Sequence, residues 1–407
     1  MSQLLKCYHN QNCIRHFLSC VILLGYNLFL TFHTGQPENC DFGLVKEILD
    51  AKLAKYPNGG FFLFFQGRHK FVSGECSEAV QWYSRANSAQ TEWPQFQHVG
   101  CWEMMWAASY QWRWREALAQ SSRLLEESRW SPCLYSYLKA AHLAMLPDLS
   151  AAEAEEQRQL MAAVPGLKQK IGGKSLPMEK FAIRKAERWC RQGGRLVLPG
   201  VELVYLWNGF SILGQQFHHV ETYYAMVEQE LAAIKERGED SEFQLEDECL
   251  LLVLKGVCLK YMSAPLAAEE TFRAVLEKTS GEPLKADKYL LPYASVELAL
   301  LLLKDSSQEA WDLLESAKNY KDYSLQSRLH FRIHAAQNRI KAGRAGSEES
   351  SLQVENSSRQ SKHCNEHAIL QEEGSEPLVH LKEDKGNMLK ELENCSDSQI
   401  REMVPHI

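Results

Sequence analysis

The sequence predicts an all-α fold in which antiparallel helical hairpins stack side by side into a superhelical solenoid. From about residue 41 to 340, apolar residues recur at spacings of three and four, which is the period of a helix with one buried face. Gly, Pro, Asn and Asp mark turns between stretches of about 12 to 18 residues. No convincing run of alternating apolar and polar residues is present, so we do not expect a sheet.

Two stretches of the chain share one spacing of small and large residues. The first begins at Gly60 and the second at Cys249, and they correspond at their residues 4, 8, 20, 24 and 27. These residues are Leu63, Gly67, Ala79, Tyr83 and Ala86 in the first stretch, and Leu252, Gly256, Ala268, Phe272 and Val275 in the second. A tetratricopeptide repeat of roughly 34 residues has large, small, small, aromatic and small residues at these places. We therefore interpret both stretches as tetratricopeptide-like hairpins.

The physical reason for this spacing is close packing of two helices. Small residues at places 8 and 20 let the helices of one hairpin approach closely, and the aromatic ring at place 24 fills the gap against the next hairpin. Weaker copies follow around Ala117 and Ala310. We predict hairpins near 60–93, 98–131, 249–282 and 291–324, which stack because one hairpin cannot bury its own apolar face.

The rest of the chain departs from the repeat. A middle section over 150–215 combines a polar helical run with loops rich in Gly and Pro, and we predict a non-repeat insertion packed on the solenoid. Residues 1–13 are predicted to be a flexible N-terminus, and 14–343 the helical repeat domain. The segment 344–407 is rich in Ser, Glu, Gln and Asn with few large apolar residues, which predicts a disordered tail.

Composition and charge exclude some classes of function. The formal net charge of -7 argues against nucleic acid as a partner. The 12 cysteines are scattered singly, without a paired spacing typical of a zinc site or a disulfide framework. Scattered thiols favour a reducing compartment, so we predict a cytoplasmic protein and leave open a nuclear or membrane-associated pool.

An apolar run near the N-terminus, FLSCVILLGYNLFLTF over 17–32, has three interpretations. It is 16 residues long, short of the roughly 20 that a spanning helix needs. Gly25 and Asn27 interrupt it, and no clear cleavage site follows. We favour a buried helix, with a membrane-associated segment and a signal peptide as the alternatives.

The segment 168–195 holds nine cations against two carboxylates. If Met178 to Cys190 is helical, Lys180, Arg184, Arg188 and Arg191 share one face, while Phe181 and Trp189 face the core. One hypothesis is a docking surface for an acidic protein segment, a phosphate or an anionic membrane. The other is a solvated helix face. Together with Arg68, the candidate partner-binding residues are Lys174, Lys180, Arg184 and Arg188.

The concave groove of the predicted solenoid gives a more specific test. Repeats that grip a C-terminal carboxylate carry Lys and Asn near places 5 and 9 of their first helices, where this chain has Phe64 with Arg68, Trp102 with Trp106, and Val253 with Val257. We therefore expect an apolar or mixed ligand surface. The aromatic clusters Trp102–Trp114 and Tyr56–Phe65 are interpreted as repeat core, with a peptide-binding hot spot as the alternative.

No residue pattern predicts catalysis, a cofactor or a metal. The sequence GGKS at 172–175 lacks the first glycine of a phosphate-binding loop, because Lys168 occupies that place. His330 and His334 are one helical turn apart, but no third ligand is spaced to join them. We predict that the protein is not an enzyme.

Several ordered runs resemble one known family. They include YPNGGFFLFF from Tyr56, WEMMW from Trp102, VPGL from Val164, EKFAIRK from Glu179, WNG from Trp207, LLESAK from Leu313 and HFRIH from His330. Across roughly 14–340 the chain resembles the tetratricopeptide repeat protein 39 family, whose domain is shared with fungal inclusion-body-clearance proteins. The resemblance implies that the product is N-terminally shortened, and that 17–32 is an internal helix.

The resemblance also implies a scaffold without catalytic residues. We predict a non-enzymatic protein-interaction scaffold or adaptor, linked to protein degradation or to inclusion-body and lipid-linked quality control. The alternative hypothesis is a protein that associates with a membrane or lipid surface through the apolar helix at 17–32 and the basic segment at 168–195.

Overall fold

The computed structural model describes residues 13–171, 174–237, 242–281, 283–303 and 305–343. Apart from its last residue, the segment predicted as a flexible N-terminus lies outside the described residues, and so does the predicted tail at 344–407. Helices dominate the described ranges, and successive helices pack against each other. The prediction of an all-α solenoid is confirmed.

The N-terminal half begins with a helix that changes its winding. Helix α1 (Cys13–Gly25) continues through a π-helical turn (Tyr26–Leu30) and one further α-helical turn (Thr31–His33). The helices that follow are α2 (Phe42–Lys55), α3 (Gly60–Val72), α4 (Cys76–Ala89), α5 (Pro94–Tyr110), α6 (Trp114–Glu127), α7 (Pro132–Ala144) and α8 (Ala151–Ala163). The pairs α3–α4, α5–α6 and α7–α8 form three successive hairpins.

A connecting region follows the third hairpin. It contains a 3-10 turn (Val164–Leu167), the strands β1 (Lys170–Ile171) and β2 (Lys174–Ser175), α9 (Pro177–Arg191), α10 (Pro199–Leu206) and α11 (Phe210–Leu213). The strands form an antiparallel ladder of two residues each, too short for sequence alternation to reveal. Helix α9 packs on the third hairpin, and α10 contacts helices of both halves of the molecule.

The C-terminal half repeats the hairpin arrangement. Its helices are α12 (Phe217–Arg237), α13 (Gln244–Tyr261), α14 (Pro265–Gly281), α15 (Leu290–Leu302), α16 (Ser307–Asn319) and α17, which is helical over 326–343. The hairpins α13–α14 and α15–α16 lie side by side, and α12 packs against α13.

Glycines set the closest helix contacts. A β-carbon added to Gly67 would lie 2.7 Å from Cδ1 of Tyr83, and one added to Gly256 would lie 2.6 Å from Cε1 of Phe272. Both rings are fully buried. The ring at place 24 therefore covers the glycine of its own hairpin. The sequence pattern predicts only that this ring fills the gap against the next hairpin.

The helix pair α7–α8 differs from the sequence interpretation. The sequence predicts that the polar run from Ala151 belongs to the non-repeat insertion, yet this helix packs against α7 as the second helix of a hairpin. Its start is fixed by a capping box, in which Ser150 and Glu153 satisfy each other's backbone N–H groups. Helix α8 buries few side chains, among them Met161. The apolar residues of its sequence therefore show only a weak helical period.

The apolar N-terminal segment is buried on one side. Leu23, Leu24 and Leu28 are buried, whereas Phe17 and Leu18 are exposed. Helix α1 packs on α2, and its π-helical turn packs on α3 of the first hairpin. Within the described residues, His16–His33 is the one helical segment long and apolar enough to cross a membrane by length and composition, and 44% of it is buried. One-sided burial is typical of a core helix that leaves an apolar strip uncovered.

Candidate protein-binding groove and basic helix

A groove of about 420 Å³ runs between the N-terminal helix and the first helices of the three hairpins. Its lining is mostly apolar and aromatic: Val21, Gly25, Phe29, Phe61, Phe64, Phe65, Trp93, Phe96, Val99, Trp102, Trp130 and Tyr135, with His33, Gln95, His98, Glu103 and Ser128 as the polar members. The residues come from α1 and its π-helical turn, α3, α5, α7 and the loops that precede α5 and α7. This size and lining are typical of a site that holds apolar side chains.

Aromatic rings form the rim of the groove. Phe61 and Trp93 lie 6.2 Å apart between ring centroids, and both pack on Phe96. Phe61 is 39% exposed and Trp93 is 46% exposed. Phe17 extends the strip, with its ring 6.3 Å from that of Phe61. Tryptophan and other large aromatics in such positions are common hot spots of protein interfaces.

The floor of the groove is stabilised by a buried ion pair. Arg68 Nη1 lies 2.7 Å from Glu103 Oε2, and Arg68 Nε donates to the backbone oxygen of Leu28 at 3.0 Å. The hydroxyl of Tyr83 donates to the same Glu103 oxygen at 3.3 Å. The prediction that Arg68 contacts a partner is wrong in this structure, because its guanidinium is buried and already bound within the chain.

The π-helical turn shapes one wall. Asn27 donates to the Leu23 carbonyl at 2.9 Å and accepts from the backbone N–H of Asp41 at 2.8 Å. These bonds tie the turn to the start of α2 and leave Phe29 stacked on Phe64 at 6.0 Å. Single π-helical turns often occur at functional sites. In the sequence, this π-helical turn is indicated only by the interruption of the apolar run at Asn27.

The repeat-signature residues lie where the hairpins meet. Leu63, Ala79 and Ala86 are buried in the first hairpin, and Ala268 and Val275 in the α13–α14 hairpin. Leu252 is only half-buried. Trp102 and Trp106 are also buried, as a core role requires, although Trp102 reaches the groove wall.

The basic helix α9 divides into a buried and an exposed side. Lys185 lies 2.9 Å from both Glu202 and Asp287, and the guanidinium of Arg188 bonds Asp247 and Asp287. Arg188 is 1% exposed. The prediction that Arg188 belongs to an exposed docking face is therefore wrong, because two carboxylates from distant parts of the chain bury it.

Lys180 and Arg184 do lie on the surface of α9. Arg184 donates to Ser324 Oγ at 3.3 Å, and neither cation has a carboxylate within ion-pair distance in the part of the chain that the structure describes. Glu187 is exposed on the same helix and reduces the local charge. Lys174 lies in β2, and its side chain is outside the described residues.

Among the residues that the structure describes, no group of three or more His, Cys, Asp or Glu side chains could hold a metal ion. His142 is the most perturbed histidine: burial lowers its pKa to about 3, so it is neutral near pH 7. Its two ring nitrogens face Ser121 Oγ at 3.1 Å and Ser109 Oγ at 3.4 Å. Fully enclosed between helices, it has a packing role.

Stacked helix pairs, two of which are closed by an aromatic ring over a glycine, pack around an aromatic groove and define a helical repeat protein of the tetratricopeptide type. The family model described as Iml2/Tetratricopeptide repeat protein 39 matches residues 1–262, and the chain belongs to this family. The resemblance inferred from sequence is thereby confirmed.

One curated relative is tetratricopeptide repeat protein ttc-39B of Caenorhabditis elegans. It is 34% identical over 323 residues, which cover 78% of this chain and 54% of the relative. The chain thus spans about half the length of the curated relative that it matches. Tetratricopeptide repeats generally stack into solenoids that present extended concave binding surfaces.

Proposed function

We propose that this protein is a non-enzymatic scaffold whose aromatic groove binds an apolar segment of a partner protein. The observation that carries the proposal is the groove itself, which has exposed Phe61 and Trp93 at its rim. A partner that inserts one or two large apolar side chains removes this surface from water. Each fully buried side chain of that kind contributes about 1.5–3 kcal/mol before the costs of association.

The test is loss of partners from rim variants. Phe61→Ser and Trp93→Ser change exposed rings, so the fold should survive, and far-ultraviolet circular dichroism checks this. The matched control is Phe217→Ser, which changes an exposed ring at the start of α12, away from the groove. Proximity labelling in cells should show partners lost with the rim variants and kept with the control. If all three variants label the same partners as the wild type, the groove is not the binding surface.

We further propose that the partner belongs to protein degradation or inclusion-body clearance. The support is what the sequence resemblance implies, a domain shared with fungal inclusion-body-clearance proteins, together with membership in the Iml2/Tetratricopeptide repeat protein 39 family. Cells that express the rim variants should clear a model aggregating protein as slowly as cells lacking the chain, whereas cells expressing Phe217→Ser should clear it at the wild-type rate. If cells with the rim variants clear the aggregate at the wild-type rate, the groove takes no part in clearance.

A second candidate function is association with a membrane or lipid surface. Phe17, Leu18 and Ile22 form an exposed apolar strip on α1, and Lys180 and Arg184 supply exposed positive charge on α9. Flotation with vesicles containing anionic lipid tests it. Binding lost after Phe17→Ser with Leu18→Ser, or after Lys180→Glu with Arg184→Glu, supports it. A protein that stays in the unbound fraction throughout contradicts it.

The proposed location is the cytoplasm. The eight cysteines whose side chains the structure describes are free, and seven of them are buried or half-buried. Burial raises the pKa of Cys76 and Cys249 to about 12, so these thiols stay protonated and unreactive. Such thiols suit a reducing compartment. Imaging of the tagged chain, with a nuclear and a membrane marker, tests this proposal.

A further inference from the structure

One side of the aromatic groove is bounded by the turn that follows α10. Trp102, which lines the groove, lies edge-to-face against Trp207 of this turn, with 5.6 Å between the ring centroids. Asn208, the next residue, donates from its side-chain amide to the backbone oxygen of His33, which also lines the groove. The ring of Trp207 is half-buried. A segment that leaves the groove on this side therefore meets the ring of Trp207.

A cation of α17 lies over the ring of Trp207. The guanidinium of Arg328 is 4.9 Å from the ring centroid, and its Nη1 is 4.0 Å from the sulfur of Met178 at the start of α9. Arg328 does not itself line the groove, but it is half-buried and has no carboxylate at ion-pair distance within the described ranges. Arg332, one turn further along α17, is already paired with buried Glu297 at 2.5 Å. Arg328 is thus a cation beside the groove without a counter-charge in the part of the chain that the structure describes.

A half-buried guanidinium without a counter-charge is costly. Burial lowers the pKa of Arg328, and the guanidinium of Arg332 lowers it further, whereas Tyr293 and Tyr110 act in the opposite direction. Arginine nevertheless stays charged near pH 7. Contact with an aromatic ring offsets only part of the cost of desolvating such a group. A carboxylate brought here by a ligand would supply the missing counter-charge, and it would meet a guanidinium that has five N–H donors.

A second donor in the same cluster also lacks an acceptor. Trp106 stacks on Trp207 with 5.0 Å between the ring centroids, and it is 3% exposed. Its indole Nε1–H has no hydrogen-bond partner among the described residues. Buried polar groups in folded proteins are nearly always hydrogen-bonded, so an orphaned donor needs a physical reason. Two side chains in contact with the ring of Trp207 thus carry donors without an acceptor, and acceptor oxygens are what a carboxylate supplies.

Further positive charge lies on the neighbouring surface of α9. Lys180 and Arg184 are exposed, and Arg184 bonds the loop that leads into α17. Exposed Glu187 on the same helix offsets one of these charges, while Lys321 and Asp322 of the loop balance each other. Exposed charges of this kind attract an oppositely charged segment before contact, and salt screens them. The surface around Arg328 is therefore positive, which matches an acidic segment.

We propose that the partner segment is acidic as well as apolar: its large apolar side chains fill the aromatic groove, and an Asp or Glu close to them in sequence pairs with Arg328 over Trp207. The inference rests on the proposed function and names the chemistry of the partner. An extended chain advances about 3.3 Å per residue, so a segment that crosses the rings of Trp102 and Trp207 reaches Arg328 within about three residues of its nearest apolar anchor. A carboxylate fits the paired N–H groups of a guanidinium.

The experiment selects ligands from a phage-displayed library of random dodecapeptides, with the full chain as bait. The baits are the wild type, Arg328→Gln, Phe61→Ser and the control Arg273→Gln, which changes an exposed arginine of α14 that pairs with Glu269 and Glu309. We expect the wild type and the control to enrich peptides with large apolar residues and an Asp or Glu within about three residues of them. Arg328→Gln should enrich apolar peptides without the acidic preference, and Phe61→Ser should enrich neither.

The tightest selected peptide is then synthesised in two forms, with its acidic residue and with the corresponding amide, and both are titrated by calorimetry. The amide should bind the wild type about tenfold more weakly, the loss expected for one charge-assisted hydrogen bond. The amide peptide should bind the wild type and Arg328→Gln equally, because the two changes remove one shared contact. Arg328→Lys keeps the charge and should keep part of the preference for the acidic peptide. Without peptide, the Tm of Arg328→Gln should equal or exceed that of the wild type, since a desolvated cation is gone.

Three outcomes overturn the inference. They are apolar peptides selected by the wild type without an acidic preference, an acidic preference that persists with Arg328→Gln, and additive effects of Arg328→Gln and the amide. In each case the groove still binds apolar segments, so the proposed function survives. If no peptide is selected, or if Phe61→Ser selects the same peptides as the wild type, the proposed function and the inference both fail. Should Arg328→Gln not fold, the two peptide forms still decide, since equal affinity of the wild type for both contradicts the inference.

Discussion

The repeat hairpins and helix α9 are stabilised in different ways. In two of the hairpins, a ring lies over a glycine sixteen residues earlier in the chain, as with Gly67 and Tyr83. In α9, buried cations pair with carboxylates far away in sequence, since Arg188 meets Asp247 and Asp287. The first contact joins neighbouring helices, whereas the second joins the connecting region to the C-terminal half.

This difference explains what a substitution can do in each region. The contact between the ring and the glycine is apolar, so its strength follows shape and packing. The α9 contacts are ionic and desolvated, so each partner depends on the others for compensation. Loss of one charge in α9 therefore leaves the buried network with uncompensated charge, which costs more than a poorly packed ring.

The largest expected effect is that of Arg188→Met. The substitution leaves Asp247 and Asp287 buried without their guanidinium, and removal of one partner of a buried pair costs about 3–5 kcal/mol. Urea unfolding measures the change. The control is Lys180→Met on the exposed side of the same helix, where we expect a change within about 0.5 kcal/mol. Equal, small effects at both positions would show that the buried ions do not stabilise the junction.

Sequence reasoning could reach the hairpins but not the ion network. The places of Gly67 with Tyr83 and Gly256 with Phe272 recur within one hairpin, so a single sequence reveals them. The same reasoning placed Arg188 on a solvated face, because helical period shows which residues share a face and not what covers that face. Asp287 lies 99 residues from Arg188, and only the tertiary fold brings the two together.

The candidate site was predictable to a similar extent. The chain's lack of Lys and Asn at places 5 and 9 indicated an apolar groove, and the aromatic lining agrees with that chemistry. The exposure of Phe61 and Trp93 could not be predicted, because aromatic clusters of this kind more often form core. The ion pairs of Glu297 with Lys260 and Arg332 join three separate helices, so no spacing in the sequence could indicate them.

The second effect tests the glycine contacts. In Gly256→Ala the added β-carbon would lie 2.6 Å from the ring of Phe272, and overpacking of this kind costs about 1–3 kcal/mol. Better helix propensity returns up to about 1 kcal/mol, so we expect a net loss. Gly25→Ala is the control, because Gly25 is helical with nothing within 4 Å of the added carbon, and it should not destabilise.

A double variant tests whether contact with the ring of Phe272 causes the loss of stability in Gly256→Ala. Replacing Phe272 with Leu in the Gly256→Ala background gives the new methyl group room, so the two losses should not add. Gly67→Ala in the other half should match Gly256→Ala, since its added carbon would lie 2.7 Å from the ring of Tyr83. Fully additive losses would mean that the ring and the glycine do not share one contact.

The third effect depends on pH. Burial lowers the pKa of His142 to about 3, below its value of 6.5 in the unfolded chain. The unfolded state therefore binds the extra proton first, and stability falls as pH decreases from about 6.5 towards 3, by about 1.4 kcal/mol per pH unit. Urea unfolding of wild type and His142→Gln between pH 7.5 and 5 should converge towards low pH. Parallel curves would show that His142 binds its proton equally well in the folded and in the unfolded state.

The carboxylate of Glu297 responds in a lower window. Its pKa is lowered to about 2, so its contribution is complete above the unfolded value of 4.5 and is lost as pH falls towards 2. Between pH 6.5 and 5 the histidine alone of these two groups titrates. The difference in free energy of unfolding between Glu297→Gln and the wild type should therefore stay constant across that pH range.

The smallest expected effect concerns the hydroxyl group of Tyr83, which the corresponding ring of Phe272 lacks. Tyr83 donates to Glu103, which also pairs with Arg68 under the groove, whereas Phe272 has no such group. Tyr83→Phe keeps the ring over Gly67 and removes one hydrogen bond to a buried carboxylate, a loss of about 1 kcal/mol. Because Glu103 retains its bond from Arg68, the loss should stay well below that of Arg188→Met. Calorimetric unfolding measures it, and a loss as large as that of Tyr83→Ala would mean that the hydroxyl, and not the ring, closes this hairpin.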